Sequence, residues 1–264
     1  MIVHFSKYHG TGNDFIMIDG RTQDSSQLNK SLIHRLCDRR FGIGSDGFII
    51  LEKGDQSNLR MRYYNADGNE GTMCGNGGRC FTAFAHHLEL SGIETTFEGI
   101  DGMHKATLLP DGDIRLKIKD VSGIKKMDDG YFMDTGSPHF VKFVTGLEQL
   151  DVTGEGREIR HQKRFGKEGV NVNFLEQGAS PDHISVRTFE RGVEAETYSC
   201  GTGVSAAAIC SYLHHKSDIF TYQIHTLGGQ LKVSFKALEN GHFTEIYLTG
   251  PAKRVYEGSI EIKN

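Results

Sequence analysis

The sequence predicts an α+β protein built from two homologous domains, each a set of mostly antiparallel strands with one central helix. Three observations carry that prediction. A Cys-Gly-x-Gly motif occurs twice, at Cys74 and Cys200, each time after an acidic, polar run and before a helix-like stretch. Other segments recur in the same order at a nearly constant displacement. Thr11-Gly12-Asn13 returns as Thr135-Gly136-Ser137 (135 − 11 = 124), and Arg39-Arg40-Phe41-Gly42 as Lys163-Arg164-Phe165-Gly166 (163 − 39 = 124). Phe48-Ile49 returns as Phe174-Leu175, and Cys74 as Cys200, both displaced by 126 (174 − 48; 200 − 74). Finally, glycine fills 33 of 264 positions, against a usual share of about 7%. The glycines are scattered, as turns between many short strands require. A repeat this long is not a solenoid unit. The expected domains are 1–125, carrying Cys74, and 126–264, carrying Cys200, with the extreme C-terminal strand returning to the first domain.

Taken in order, residues 3–9 alternate and read as a strand, 10–14 as a turn, and 15–18 as a second strand, which makes a hairpin. Asn29 or Ser31 is placed to cap a helix through residues 32–38. Gly42-Ile43-Gly44-Ser45-Asp46-Gly47 matches Gly-x-Gly-x-x-Gly, but it follows a helix and opens the strand 48–51. A dinucleotide fingerprint must do the reverse, so that site is excluded. Residues 59–64 alternate and lead into the first cysteine motif. After the helix at 79–87, segments 95–98, 103–109 and 114–118 read as strands, with Asp111-Gly112 as a hairpin turn. Their counterparts in the second repeat are 222–225, 231–235 and 243–248.

Composition narrows the function. The formal net charge is −4, which suggests no nucleic-acid surface. No run approaches the ~18 consecutive apolar residues of a membrane span. The first residues carry no signal-peptide apolar core, so a cytoplasmic protein is expected. The five cysteines, Cys37, Cys74, Cys80, Cys200 and Cys210, are odd in number and include no Cys-x-x-Cys pair. That argues against a disulfide framework, a zinc ribbon or a thioredoxin-like site. The expected partner is a small molecule, with neither nucleic acid nor membrane.

Cys74 and Cys200 stand apart from the other three. Glycine after each cysteine allows a ligand to approach the backbone, and Asn76 and Thr202 add side-chain donors. A thiol at the start of a helix is more acidic than a free one, and an anion can dock beside it. Two such cysteines point to two thiols facing one substrate. Cys37, Cys80 and Cys210 lack this context and are expected to be structural. Asn13, Asn65 and Asn171 sit in turn-like settings at equivalent places in the repeat. Glu190-Arg191 precedes the second motif and could hold an ammonium and a carboxylate. His139 follows Ser137-Pro138 and is placed to tune a thiol. His86-His87 and His214-His215 fall near the helix ends, where they complement the helix dipole.

The segments Gly12-Asn13-Asp14-Phe15, Asn65-Ala66-Asp67-Gly68, Met73-Cys74-Gly75-Asn76-Gly77, Phe189-Glu190-Arg191-Gly192 and Cys200-Gly201-Thr202-Gly203 closely resemble the diaminopimelate epimerases. The resemblance spans the whole chain. It implies two pseudo-symmetric domains, each a curled sheet or barrel around a central helix, with the active site in the cleft between them. It implies interconversion of LL- and meso-2,6-diaminopimelate, in lysine and peptidoglycan precursor biosynthesis, with no pyridoxal phosphate and no metal. By the same resemblance Cys74 and Cys200 are the catalytic pair, and His139 and Glu190 modulate the thiols. Asn13, Asn65, Ser137, Asn171, Glu190 and Arg191 bind substrate. The N–H groups around Gly75-Asn76 and Gly201-Thr202 hold the carboxylate of the reacting centre. A homodimer is the expected assembly. Two positions depart from the family pattern: Ser137 replaces a frequent asparagine, and Gly47 replaces a glutamine found in some members.

Inverting an α-carbon without a cofactor needs a base on one face and an acid on the other, so one cysteine must be thiolate and the other thiol. Two helix N-termini would stabilise the carbanion as its charge runs into the carboxylate. The alternative of the same chemistry is a proline racemase or hydroxyproline epimerase, although those chains are longer and usually carry histidine where Asn76 stands. The alternative of another class is a thiol-based redox or binding protein.

Overall fold

The computed structural model describes residues 1–72 and 74–262. Met73 of the first motif and the last two residues lie outside that description. The chain forms two compact units, Met1–Leu116 with Pro251–Asn264, and Lys117–Gly250. They part ahead of the expected 125/126 boundary.

The first unit contains β1 (Ile2–Gly10), β2 (Asn13–Asp19), α1 (Lys30–Cys37), β3 (Gly47–Glu52), β4 (Arg60–Asn65), α2 (Gly75–His87), β5 (Glu94–Gly99), β6 (Gly102–Leu108) and β7 (Ile114–Lys117). The second contains β8 (Lys125–Met127), β9 (Gly130–Asp134), β10 (Pro138–Phe143), α3 (Val152–Arg160), β11 (Asn171–Gln177), β12 (His183–Glu190), β13 (Ala195–Thr197), α4 (Gly201–His215), β14 (Thr221–Thr226), β15 (Gly229–Ala237) and β16 (Phe243–Gly250). The last strand, β17 (Lys253–Glu261), belongs to the first unit.

The repeat seen in the sequence is a repeat of topology. In the first unit β1 to β7 pair in order, with β2–β3 and β4–β5 parallel and the rest antiparallel. In the second, β9, β10, β11, β12, β14, β15 and β16 pair in the same pattern, with β10–β11 and β12–β14 parallel. A parallel pair cannot be joined by a tight turn. Each unit therefore spends two helices on its crossovers: α1 and α2 in the first, α3 and α4 in the second. At the other edge, β17 pairs antiparallel with β1, as β8 does with β9.

Strands covered on both faces lose the alternation of a half-exposed sheet. β3 is buried from Gly47 through Leu51, and β11 from Asn171 through Leu175. On one side of β2 and β3, Ile16, Ile18, Phe48 and Ile50 pack with Ile33 and Leu36 of α1. In the second unit Phe140, Val172, Phe174 and Phe189 pack with Val152 and Ile159 of α3. The other face holds the central helix. α4 touches β9 through β12 and β14 through β16. It is buried without a break from Gly203 to Ser211, as a helix enclosed on all sides must be. The sheet of each unit thus wraps its second helix, and the small side chains Ala206, Ala207 and Ala208 let the strands approach.

α1 begins at Asn29, whose side-chain oxygen accepts from Leu32 N at 3.0 Å. α3 has the same device in Asp151, which accepts from Gly154 N at 2.9 Å. The reading of the sequence placed no helix here, because Gly154 and Gly156 interrupt the pattern. A Cβ on Gly156 would lie 2.3 Å from Cβ of Phe189, so the glycine exists to let α3 lie on β12. Glycine to alanine inside a helix normally stabilises by about 0.5–1 kcal/mol. Here Gly156→Ala is expected to destabilise by about 1–3 kcal/mol through overpacking. Chemical denaturation measures this, and a stabilised variant would contradict the packing described.

Candidate active site

Each motif cysteine is the N-cap of a central helix, with extended backbone: φ −95°, ψ 130° at Cys74 and φ −118°, ψ 111° at Cys200. Neither side chain makes a capping hydrogen bond, and neither helix has an acidic residue in its first turn. The first N–H groups of a helix have no partner within it. Here neither first turn supplies a carboxylate of its own to neutralise that end of the dipole. Both positions therefore suit an external anion.

In the first unit, Cys74 is set against Asn13. β1 and β2 are joined at Thr11 and Gly12, both at positive φ, 49° and 85°. That geometry makes the tight twist of a two-residue hairpin. A β-branched residue is strained there. The buried Thr11 is held through its hydroxyl by Nη2 of Arg79 at 3.2 Å, and Arg79 also binds Gly75 O of its own helix at 3.3 Å. The turn delivers Asn13, whose Nδ2 donates to Oδ2 of Asp46 at 2.9 Å. The amide oxygen then faces the helix start. It accepts from Asn76 Nδ2 at 3.3 Å and from Cys74 Sγ at 3.6 Å. Asp46 lies in the glycine loop excluded above as a dinucleotide site. The loop instead carries one end of a charge network. Arg39 binds both Asp14 and Asp46, and Lys7 binds Asp14 at 2.7 Å. Burial opposes ionisation of Asp14, but the hydrogen bonds and charges of Arg39 and Lys7 outweigh it and hold the carboxyl well below the usual range.

Asn65, at the end of β4, is exposed, and the hydroxyl of Tyr63 donates to its oxygen at 2.9 Å. Tyr63 went unnoticed in the sequence. Its ring occupies the space a side chain at Gly47 would need: a Cβ there would meet Cε2 of Tyr63 at 2.7 Å.

In the second unit, Ser137, His139, Asn171, Arg191, Cys200 and Thr202 are brought together. Asn171 donates to Ser137 Oγ at 3.1 Å and to Pro138 O at 3.0 Å, and accepts from the backbone N–H of Arg191 at 2.8 Å. It thereby fixes the segments that carry Ser137 and Arg191. Among the described residues, no carboxylate lies within ion-pair distance of the Arg191 guanidinium. Glu190 ends β12, and its carbonyl accepts from Glu194 N at 2.9 Å. His139 is wholly buried in β10. Its Nε2 lies 3.0 Å from Ser137 Oγ and 2.9 Å from Thr202 Oγ1, and its Nδ1 lies 3.1 Å from Nδ2 of Asn173. Thr202 Oγ1 in turn is 3.5 Å from Cys200 Sγ.

The glycines of the second motif are not all ligand space. A Cβ on Gly203 would lie 2.2 Å from Oδ1 of Asn173, so that glycine admits a protein side chain. Nor do the terminal histidines serve only the helix dipole. His214 stacks on Phe143 with centroids 4.2 Å apart, and burial lowers its pKa. The remaining cysteines are closed off. Burial pushes Cys80 up to about 12 and Cys210 well above the usual thiol value, and raises Cys37 as well. No group of three or more His, Cys, Asp or Glu among the described residues is arranged to hold a metal ion. No helix among them is long and apolar enough to cross a membrane.

The fold is shared with a Bacillus anthracis phenazine biosynthesis protein of the PhzF family (TM-score 0.77, 14% identity, covering 99% of this chain and 100% of that one). It is shared also with an Agrobacterium vitis hydroxyproline epimerase (TM-score 0.67, 14% identity, 98% and 92%). At that identity the likeness establishes the fold alone. The sequence goes further. The family model described as diaminopimelate epimerase matches twice, over residues 5–130 and 131–255. A diaminopimelate epimerase from Flavobacterium psychrophilum is 50% identical, covering 96% of this chain and 98% of its own. The chain belongs to the diaminopimelate epimerase family.

Burial first, and the Arg191 charge second, push the His139 pKa down from 6.5 to about 3. The folded value lies below the unfolded one, so the stability that neutral His139 contributes is complete above pH 6.5 and is lost as pH falls towards 3. The slope is at most about 1.4 kcal/mol per pH unit. His139→Gln removes that contribution. In denaturation titrations over this range the wild type should lose stability more steeply than His139→Gln. Equal slopes would contradict a buried neutral imidazole.

Proposed function

We propose that this chain epimerises LL-2,6-diaminopimelate to meso-2,6-diaminopimelate, with Cys74 and Cys200 as a thiolate and thiol pair and with no cofactor in the step. The observation that carries this reading is the duplicated one. In two units of the same topology, the same position at the start of an enclosed helix is a cysteine that does not cap its own helix. One sulfur takes the α-proton and the other delivers a proton to the opposite face. The N–H groups about Gly75-Asn76 and Gly201-Thr202 hold the reacting carboxylate and the charge that develops on it. The absence of any acidic residue in either first turn supports this assignment.

Diaminopimelate also has a distal amino-acid end. Arg191, with no carboxylate among the described residues to pair with, is suited to bind the distal carboxylate bidentately. Ser137 and Asn65 supply neutral hydrogen bonds, and Glu190 stands next to Arg191 to meet an ammonium. Asn13 borders the Cys74 thiol, and Asn171 acts by fixing Ser137 and Arg191. A proline-type substrate has no distal end to engage such a clamp, and this separates the reading from the racemase alternative. A cytoplasmic location and a homodimer belong to the same reading. Ile2, Val255 and Tyr256, exposed on the paired strands β1 and β17, are apolar surface that a dimer could cover.

Cys74→Ala and Cys200→Ala are each expected to abolish epimerisation and keep the fold, because inversion needs both sulfurs. Cys80→Ala should keep turnover and lose stability through its cavity. Polarimetry or chiral chromatography with LL-diaminopimelate measures turnover. More than a few per cent of activity in either single variant of the motif pair would rule out the two-base reading.

A further inference from the structure

The two cysteines face opposite kinds of hydrogen-bonding atom, and the buried chain behind Cys200 accounts for the difference. Asn173 lies in β11, wholly buried. Its Nδ2 donates to the backbone carbonyl of Phe140 at 3.1 Å, and its Oδ1 accepts from Thr188 Oγ1 at 2.9 Å. A carbonyl can only accept, so the amide orientation is fixed. The second Nδ2 hydrogen then points at His139 Nδ1, 3.1 Å away. The neutral imidazole must accept there and carry its proton on Nε2. That N–H lies between the oxygens of Ser137 and Thr202. With its oxygen accepting from His139, the Thr202 hydroxyl can turn its own hydrogen to Cys200 Sγ, 3.5 Å away. A donor at sulfur favours the thiolate. Burial keeps the His139 ring neutral, and the charge of Arg191 acts in the same direction.

At Cys74 the arrangement is reversed. Asp46 fixes the Asn13 amide with its nitrogen outward, so the atom facing Cys74 Sγ is Oδ1, which can only accept. An acceptor favours the protonated thiol. The repeat shows where the units diverged. His139 pairs with Asn171 in register as Phe15 does with Gly47. In this register β11 follows β3 by 124 residues (171 − 47), not by the 126 that Phe48 and Phe174 suggest in the sequence. Asn173 therefore stands where the first unit has Ile49, and the pair His139 and Asn173 replaces the apolar pair Phe15 and Ile49.

We propose that Asn173 is a positioning residue: it fixes the tautomer of His139, and through Thr202 this holds Cys200 as the thiolate of the resting enzyme while Asn13 holds Cys74 as the thiol. The proposal rests on the two-thiol reading above, and its test needs no substrate. A short pulse of iodoacetamide at neutral pH, followed by peptide mass spectrometry, gives the alkylation rate of each cysteine. Cys200 is itself buried but 7% exposed, whereas Cys37 is 4% exposed and Cys80 and Cys210 are fully enclosed. These last three report on the fold in the same experiment. Asn173→Asp keeps the shape but replaces the Nδ2 donor with an oxygen. Thr202→Val removes the hydroxyl, and Thr202→Ser restores it.

Asn173→Asp and Thr202→Val are each expected to slow Cys200 labelling by about tenfold, the value of one hydrogen bond to a charged group. Cys74 labelling should stay within about twofold of the wild type, the three buried cysteines should stay unlabelled, and Thr202→Ser should label as the wild type does. If Asn173→Asp exposes the buried cysteines, Thr202→Val carries the same expectation. Unchanged Cys200 labelling in a folded Asn173→Asp or Thr202→Val protein, or equal slowing at Cys74 and Cys200, would overturn the proposal. A wild type with this labelling pattern but no turnover of diaminopimelate would instead remove the functional reading and leave the relay standing.

Discussion

The structure depends on a constraint at the start of a helix. An α-helix enclosed by its own sheet must still satisfy the N–H groups of its first turn. Most helices do so with a serine, threonine, aspartate or asparagine cap, as Asn29 and Asp151 do for α1 and α3. α2 and α4 instead have Cys74 and Cys200 at that position, and neither caps. The two outer helices are closed by their own residues, and the two central helices carry no side-chain cap, as the proposed binding of a carboxylate requires. The parallel pairs β2–β3 and β10–β11, the crossover helices that join them and the tight turn at Thr11 bring Asn13, His139 and Asn171 beside those open ends.

In the proposed mechanism duplication supplies the two thiols, and divergence between the units sets them apart. A symmetric pair would have the same proton affinity on both sides, whereas a two-base inversion needs one base and one acid at any moment. The first unit meets its thiol with an acceptor oxygen, backed by the charge network of Lys7, Asp14, Arg39 and Asp46. The second meets its thiol with a hydroxyl, backed by a neutral imidazole and a buried amide. The first unit backs its thiol with charged groups, including the buried Lys7, and the second with neutral polar groups. Burying an ion is costly, which is why the network behind Cys200 contains none.

Much of this was legible in the sequence. The displacement of 124–126 residues points to the repeat of topology and to the equivalent positions of Cys74 and Cys200 ahead of the central helices. The Gly-x-Gly-x-x-Gly loop was excluded as a nucleotide site on the order of its elements alone. α3 was missed because Gly154 and Gly156 break the apolar pattern. Yet α1 displaced by 124 residues spans 154–161 and overlaps α3, and Asp151 is a cap signal. β11 shows a related limit: buried on both faces along most of its length, it carries no two-residue period in the sequence. Asn173 and Tyr63 could not be found, because nothing local marks them. Their meaning comes from what the fold sets against them: Gly203, His139 and Thr188 in one case, Gly47 and Asn65 in the other. Gly203 shows the limit most plainly. In the sequence it looks like space for a ligand, and in the structure Asn173 fills that space.

The central claim is that two sulfurs act on one carbon from opposite faces. Incubating the wild type with LL-diaminopimelate in deuterated water, and stopping at low conversion, tests it directly. Each thiol exchanges with solvent, so the acid delivers deuterium while the base removes protium from the other face. The account predicts that the meso product carries one deuterium at the inverted carbon while the recovered LL substrate carries almost none. Deuterium appearing at equal rates in substrate and product, or protium carried from one to the other, would mean that a single base serves both faces, and would contradict it.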